Sequence, residues 1–396
     1  MAQPVVLLGA GRRDSCDEFP LARIAAARPV VLVDPDPPAW TRPYLAGHLA
    51  ADPARESSTT EAVLAYAAGH PVAGVLTWSG AHLTTAARIT ARLGLPGLPY
   101  ETAAACADPV ALRTLLHRKR LPTTGPRDRV DAPDARKSGN AGDAADPRNQ
   151  GGAGDPRNQG GAGDPRNAGG AEDVRDGEGS LVSVEAVVLD DEVRIVALTR
   201  TTPGPPPARS PLRHRVHAHD GLLHNRFLRT CVERTVRALA LTHTVVHITL
   251  RLTARGPRVL AVAPHLPGDL IPLLVERATG VDLATAAAAL ATGDHPDLTP
   301  TRQRAAAVQF AYPTVTGRLT HLRLDPAAEH DPSADHVLLT RHPGDPVTAA
   351  PHAHITDRLA HWVVTAENPT DCETALRRMA HHLTARILPL ADGYAA

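Results

Sequence analysis

Twenty-one histidines, four cysteines and only two lysines bound the chemistry open to this chain. Histidine is the commonest transition-metal ligand, so its clustering is weighed first. His214, His217 and His219 lie close together, as do His243 and His247, and His352 and His354. None has a cysteine at zinc-finger spacing, and there is no His-Glu-x-x-His run. On a strand His217 and His219 share a face, as do His352 and His354. That allows adventitious metal binding rather than a built zinc site. Cys16, Cys106, Cys231 and Cys372 are far apart, which reads as free or buried thiols in a reducing compartment. No Gly-x-Ser-x-Gly elbow is present, and spacing alone sets no Cys–His pair. Lys119 and Lys137 are the only ammonium groups that a phosphate site could use. Gly9-Ala10-Gly11 follows an apolar run and invites a dinucleotide reading. Asp14 stands where the third glycine belongs, so a tight strand-to-helix turn is the plainer account.

The elements that must position such groups follow from the apolar runs. Residues 4–10, 29–34 and 72–77 are short and fully apolar or nearly so, with helical stretches between them and over 82–93. Such runs predict a parallel sheet covered on both faces, hence a Rossmann-like unit over 1–107. A helix is predicted from Asp108 to Arg120. Residues 131–179 then hold almost no large apolar side chains. Asp146-Pro-Arg-Asn-Gln-Gly-Gly-Ala recurs from Asp155, and again from Asp164 with Ala168 replacing Gln. Repeats without an apolar position cannot offset the entropy of ordering, which predicts a disordered insert. Residues 181–201 read as a hairpin with an acidic turn at Asp190-Asp191, and 223–241 as a helix. Strands are expected at 244–252 and 257–263, and helices at 270–278 and 282–292. A compact C-terminal module with a last helix at 370–386 completes the expectation.

Composition excludes several classes. The 42 basic and 42 acidic residues cancel, which argues against a dedicated nucleic-acid binder. No apolar run reaches the roughly 18 residues of a membrane span. The first residues lack the basic and apolar regions of a signal peptide, so a cytoplasmic protein is expected.

Several separated segments, taken in order, resemble the ATP-grasp superfamily, in particular its carboxylate–amine ligases. They are Val75-Leu76-Thr77-Trp78, Leu93 to Pro99, Ala105-Cys106-Ala107-Asp108-Pro109, Ser183-Val184-Glu185-Ala186, His247 to Leu252, Gly256 to Leu260, Gly268-Asp269-Leu270-Ile271 and Ala278 to Leu283. Residues 306–390 resemble the terminal module. The L-amino-acid (dipeptide) ligases are the nearer likeness and biotin carboxylase the more distant one. The implied fold class is α/β and α+β. It comprises a Rossmann-like domain over 1–107, an ATP-grasp domain over 108–300 carrying the 131–179 insert, and a small module over 301–396. The implied chemistry joins a carboxylate to an amine through an acyl phosphate made from ATP, with magnesium as the second cofactor.

Departures from the family pattern bear on activity. Its His-Thr-Glu and Glu-x-Asn-x-Arg strands hold the metal with two carboxylates and an amide. The matching positions are Thr249, Ala261 and Ala263, and the arginine is His265. Alanine offers no oxygen, and a neutral hydroxyl is a poor ligand for a hard dication. Losing one preorganised electrostatic group costs about 10²–10³ in rate. The Asp-Lys pair is Asp108-Pro109 here, which leaves Lys137 as the candidate phosphate contact. Glu185 is a candidate for ATP or metal, and Arg251 for the substrate carboxylate. Gly268-Asp269 is expected to act as a turn and N-cap. The expected ligand is therefore a small carboxylate or amine with impaired or absent catalysis. The alternative is a non-catalytic pseudo-ligase binding a protein partner or metabolite. Neither nucleic acid nor membrane is expected as a partner.

Overall fold

The computed structural model describes residues 2–12, 17–123, 179–190, 192–204 and 210–389. Lys137 and the 131–178 part of the repeat segment lie outside them. The first sheet is built from the apolar runs. Strand β1 (Val5–Leu8) leads to helix α1 (Glu18–Ala27), then β2 (Val30–Val33) and β3 (Gly47–Leu49). Helix α2 (Glu56–Gly69), β4 (Gly74–Leu76) and α3 (Leu83–Leu93) follow. The four strands are parallel in the order β3-β2-β1-β4. Every residue of β1 and β2 is buried, as a sheet covered on both sides requires. Val6, Leu8, Val31 and Val33 pack with Val63 and Ile89 beneath α2 and α3. Val5, Leu7, Val30 and Leu32 turn the other way and join a core that reaches into the rest of the chain.

Helix α4 (Tyr100–Ala107) and α5 (Pro109–Arg118) come next. Asp108 accepts a hydrogen bond from Val110 N and Pro109 opens α5, the composition a helix start favours. Strands β5 (Ser180–Leu189) and β6 (Glu192–Pro203) form the expected hairpin, and β7 (Pro211–His217) extends it. Helix α6 (Arg226–Ala238) is capped by Asn225, and β8 (Thr244–Thr253) and β9 (Gly256–Ala263) pair through a turn at Ala254-Arg255. Helices α7 (Ile271–Thr279) and α8 (Leu283–Ala291) follow, the second capped by Asp282. Strands β10 (Ala305–Ala311), β11 (Gly317–Leu324), β12 (Ala334–Leu339), β13 (Pro346–Val347) and β14 (Ala360–Ala366) lead to α9 (Pro369–Ala380) and β15 (Leu383–Pro389).

Eight of these strands make one antiparallel sheet, ordered β12-β14-β10-β7-β6-β5-β8-β9, and β13-β11-β15 make another. One face of the large sheet presents Val182, Val184, Ile248 and Leu250 to Leu112 and Leu116 of α5 and to Leu228 and Val232 of α6. One stretch has no state assigned from the sequence, and another differs from expectation. Strand β7 carries Arg213, His214 and Arg215 and owes its state to pairing on both sides with β6 and β10. The last helix ends at Ala380 rather than 386, because Leu383–Pro389 pair antiparallel with β11.

The first sheet meets the second unit at a close approach. A Cβ on Gly74 of β4 would lie 2.4 Å from the Ala291 carbonyl oxygen at the end of α8. Backbone cannot yield there as a side-chain tip does. Gly74→Ala is expected to destabilise the protein by about 1–3 kcal/mol, measured by urea unfolding. An unchanged midpoint would show that strand and helix can separate at no cost.

Candidate functional site

The opposite face of the large sheet is polar, and β-alternation places its side chains in rows. Ser183 and Glu185 point the other way from Val182 and Val184. Strand register sets Ser183 beside Thr249 and Thr249 beside Ala261, and Glu185 beside His247 and His247 beside Ala263. Thr249, Ala261 and Ala263, the positions that the resemblance matches to metal ligands, therefore share one small area with Glu185.

Glu185 is 0% exposed. Its Oε1 accepts from the hydroxyls of Ser183 at 2.8 Å and Thr199 at 3.0 Å. Its Oε2 accepts from His247 Nδ1 at 2.9 Å, and the far nitrogen of that ring meets the Thr249 hydroxyl at 3.2 Å. Burial pulls the His247 imidazole down, but the charge and hydrogen bond of Glu185, with Asp269 beyond, outweigh it and raise the ring above its ordinary value. Arg251 continues the same strand and is buried, 5% exposed, rather than outward-facing.

A second buried ion pair adjoins the first. Asp269 receives Arg358 Nη1 at 2.7 Å and Nη2 at 2.9 Å, with His214 Nε2 at 3.4 Å from Oδ2. The Arg358 guanidinium lies 3.6 Å from the Phe310 ring centroid and donates through Nε to the Tyr312 hydroxyl at 2.9 Å. Asp269 and Arg358 side chains are 6% and 5% exposed. Burial pushes the Asp269 carboxyl up; the adjacent guanidinium, by charge and two hydrogen bonds, reverses this and holds it well below the usual carboxylate range. Asp269 is not the N-cap that its position suggested. Its carboxylate is engaged by Arg358, and the residue entering α7 is Leu270, which like Asp269 has positive φ and no side-chain cap.

His265 has the opposite character to His247. Its Nδ1–H donates to the Leu266 carbonyl at 2.9 Å, so Nε2 is left as an acceptor. Burial, aided by the charge of His247, pushes its pKa down to about 4. The ring is neutral at ordinary pH and borders a cavity of about 70 Å³ shared with Thr77, Trp78 and His243. A depressed histidine favours the fold only while unprotonated. Its contribution is full above the unfolded value of 6.5 and is lost as pH falls toward 4. His265→Leu is therefore expected to flatten the acid side of the stability–pH curve, by up to about 3 kcal/mol. Parallel curves for the two proteins between pH 4 and 6.5 would refute the assignment.

No family model matches the chain. It is 31% identical to the uncharacterized protein y4rH of Sinorhizobium fredii (strain NBRC 101917 / NGR234) over 162 residues, which are 41% of this chain and 33% of that protein. The match thus spans about a third of that relative's length. Over the whole chain, the likeness is to solved structures. The L-amino acid ligase of Bacillus licheniformis superposes with TM-score 0.73 at 14% identity, over 98% of this chain and 99% of that one. The phosphoribosylglycinamide synthetase of Anaerococcus prevotii gives 0.72 at 15%, over 98% and 100%. The chain has the ATP-grasp fold.

The ATP-grasp resemblance puts a magnesium site on the face just described, and the residues there can be tested against it. Magnesium requires several oxygen donors in octahedral array. Both Glu185 oxygens already accept hydrogen bonds, and the Thr249 hydroxyl is engaged by His247. Ala261 and Ala263 supply none, and Asp269 is taken up by Arg358. This donor set does not fit the ion. Asp108, which the resemblance matches to an Asp-Lys pair, caps α5. The structure thus brings Glu185, Thr249, Ala261 and Ala263 together, with Arg251 on the same strand as Thr249, while Lys137 lies outside the described residues. Tyr312 and Arg358 were missed by sequence reasoning, and His214 was weighed only as a metal ligand, since only the sheet order brings residues so distant in the chain to Asp269.

Proposed function

We propose that this chain is a ligase-derived binding protein on the ATP-grasp plan, in which phosphoryl transfer from magnesium-bound ATP is impaired or absent. The single observation supporting it is the row Glu185–His247–Thr249 beside Ala261 and Ala263, a polar patch closed on itself by hydrogen bonds. Likeness to an L-amino acid ligase makes a small carboxylate- or amine-bearing metabolite the first ligand class to try, and a protein partner the second. The buried Arg251 supports carboxylate recognition, as guanidinium forks match carboxylate geometry. ATP and magnesium come to this chain by resemblance only.

Calorimetric titration of Mg-ATP, with and without EDTA, tests this reading. No heat at millimolar nucleotide and no ADP release with amino acids present is the expected result. Chelator-sensitive binding with ADP release would overturn it. That outcome would favour a working ligase, for which the retained Glu185 and Arg251 are the supporting residues.

A further inference from the structure

The charges of this chain cancel as a whole but not locally. On and just after α5 stand Arg113, Arg118, Lys119 and Arg120; on α6 stand Arg226, Arg229, Arg234 and Arg237. Across residues 109–123 and 226–238 the sole carboxylate is Glu233. None of these eight cations forms an ion pair among the described residues. Arginines elsewhere do so repeatedly, as Arg23 with Glu276, Arg200 with Asp220, Arg277 with Asp335 and Arg378 with Asp331. A chain rich in arginine thus pairs many of them across its surface and leaves this group unpaired.

The two segments adjoin. Their apolar sides share one core, and Arg234 Nη2 donates to the Arg120 carbonyl at 3.2 Å. Between them runs an open groove of about 720 Å³ lined by His117, Arg118, Arg120, Leu121, Pro122 and Arg234. Phe227, seven residues before Arg234 and so on the same side of α6, is 63% exposed, with the Arg226 guanidinium 4.8 Å from its ring centroid. This surface lies behind the sheet, away from Glu185 and His247, and does not depend on the function proposed above.

We propose that the α5–α6 face docks an acidic polypeptide segment of a partner protein. Guanidinium forks match carboxylates in pairs, and arginine with an exposed aromatic is the composition of protein interfaces, which are depleted in lysine. Nucleic acid fits less well. Single strands need a series of aromatic platforms, and this face offers one. A molecule of zero net charge also exerts little pull beyond a Debye length, so the partner must match the patch locally.

The test uses the full chain, a labelled oligoglutamate peptide and a labelled oligothymidylate of equal formal charge, with binding read by fluorescence anisotropy. The peptide is expected to bind, with affinity falling as salt rises, and to bind more tightly than the oligonucleotide. The triple variant Arg118→Glu, Arg229→Glu, Arg234→Glu should weaken it at least about tenfold. The corresponding triple glutamine variant should weaken it less, which guards against misfolding of the first; circular dichroism checks both. No peptide binding at low salt, tighter binding of the oligonucleotide, or undiminished affinity in both variants would each overturn the proposal.

Discussion

Arg358→Met is expected to lower the free energy of unfolding by about 3–5 kcal/mol, because it leaves the Asp269 carboxylate buried with only the His214 imidazole, 3.4 Å away, beside it. The guanidinium that it removes also lies on Phe310 and hydrogen-bonds Tyr312, so packing is lost with charge. The pH dependence identifies the cause. The depressed Asp269 carboxyl contributes stability above its unfolded value of 3.8 and loses it as pH falls through the much lower folded value. The gap between parent and variant should therefore be widest near neutrality and narrow in strong acid. Urea unfolding at several pH values measures it, and a gap under about 1 kcal/mol at pH 7 would mean the pair is replaceable by water.

Glu185→Gln should cost about 1.5–3 kcal/mol, the range for a buried hydrogen bond to a charged group. Its shape is kept, but His247 loses the carboxylate that raises it. Because the folded value of His247 lies above the ordinary 6.5, the pair stabilises the protein fully below that pH and ceases to as pH climbs through the raised value. The variant should thus differ most from the parent in mild acid and least in alkali. An imidazole titration by NMR supplies a direct reading: His247 should titrate lower in the variant. Identical titration in both proteins would detach Glu185 from the ring.

The sequence makes β1, β2 and β4 of the first sheet legible because these apolar strands are largely buried and need little help from context, whereas the half-exposed edge strand β3 went unread. The hairpin β5–β6 and helices α6 to α8 are legible for similar reasons, with caps at Asn225 and Asp282. Strand β15 is not, since His381 to Arg386 suit helix or strand and only pairing with β11 decides between them. Within the site, Thr249, Ala261 and Ala263 stand out by what they lack relative to a family pattern. The burial of Glu185 and Arg251 could not be read, because a charged residue in a strand is more often solvated. The Asp269–Arg358 pair was hidden by a separation of 89 positions along the chain. The concentration of cations on α5 and α6 was likewise masked by a balanced total.

The eight-stranded sheet has a mechanical consequence. Strands β7 and β10 come from distant parts of the chain yet share one ladder, with Ala305 registered opposite His217. Cutting the chain ahead of residue 305 would strip β7 of its outer neighbour and leave a raw row of amides and carbonyls facing solvent. Such a fragment should stick to itself rather than survive alone, so the polypeptide beyond that point serves as a built-in selvedge for the rest.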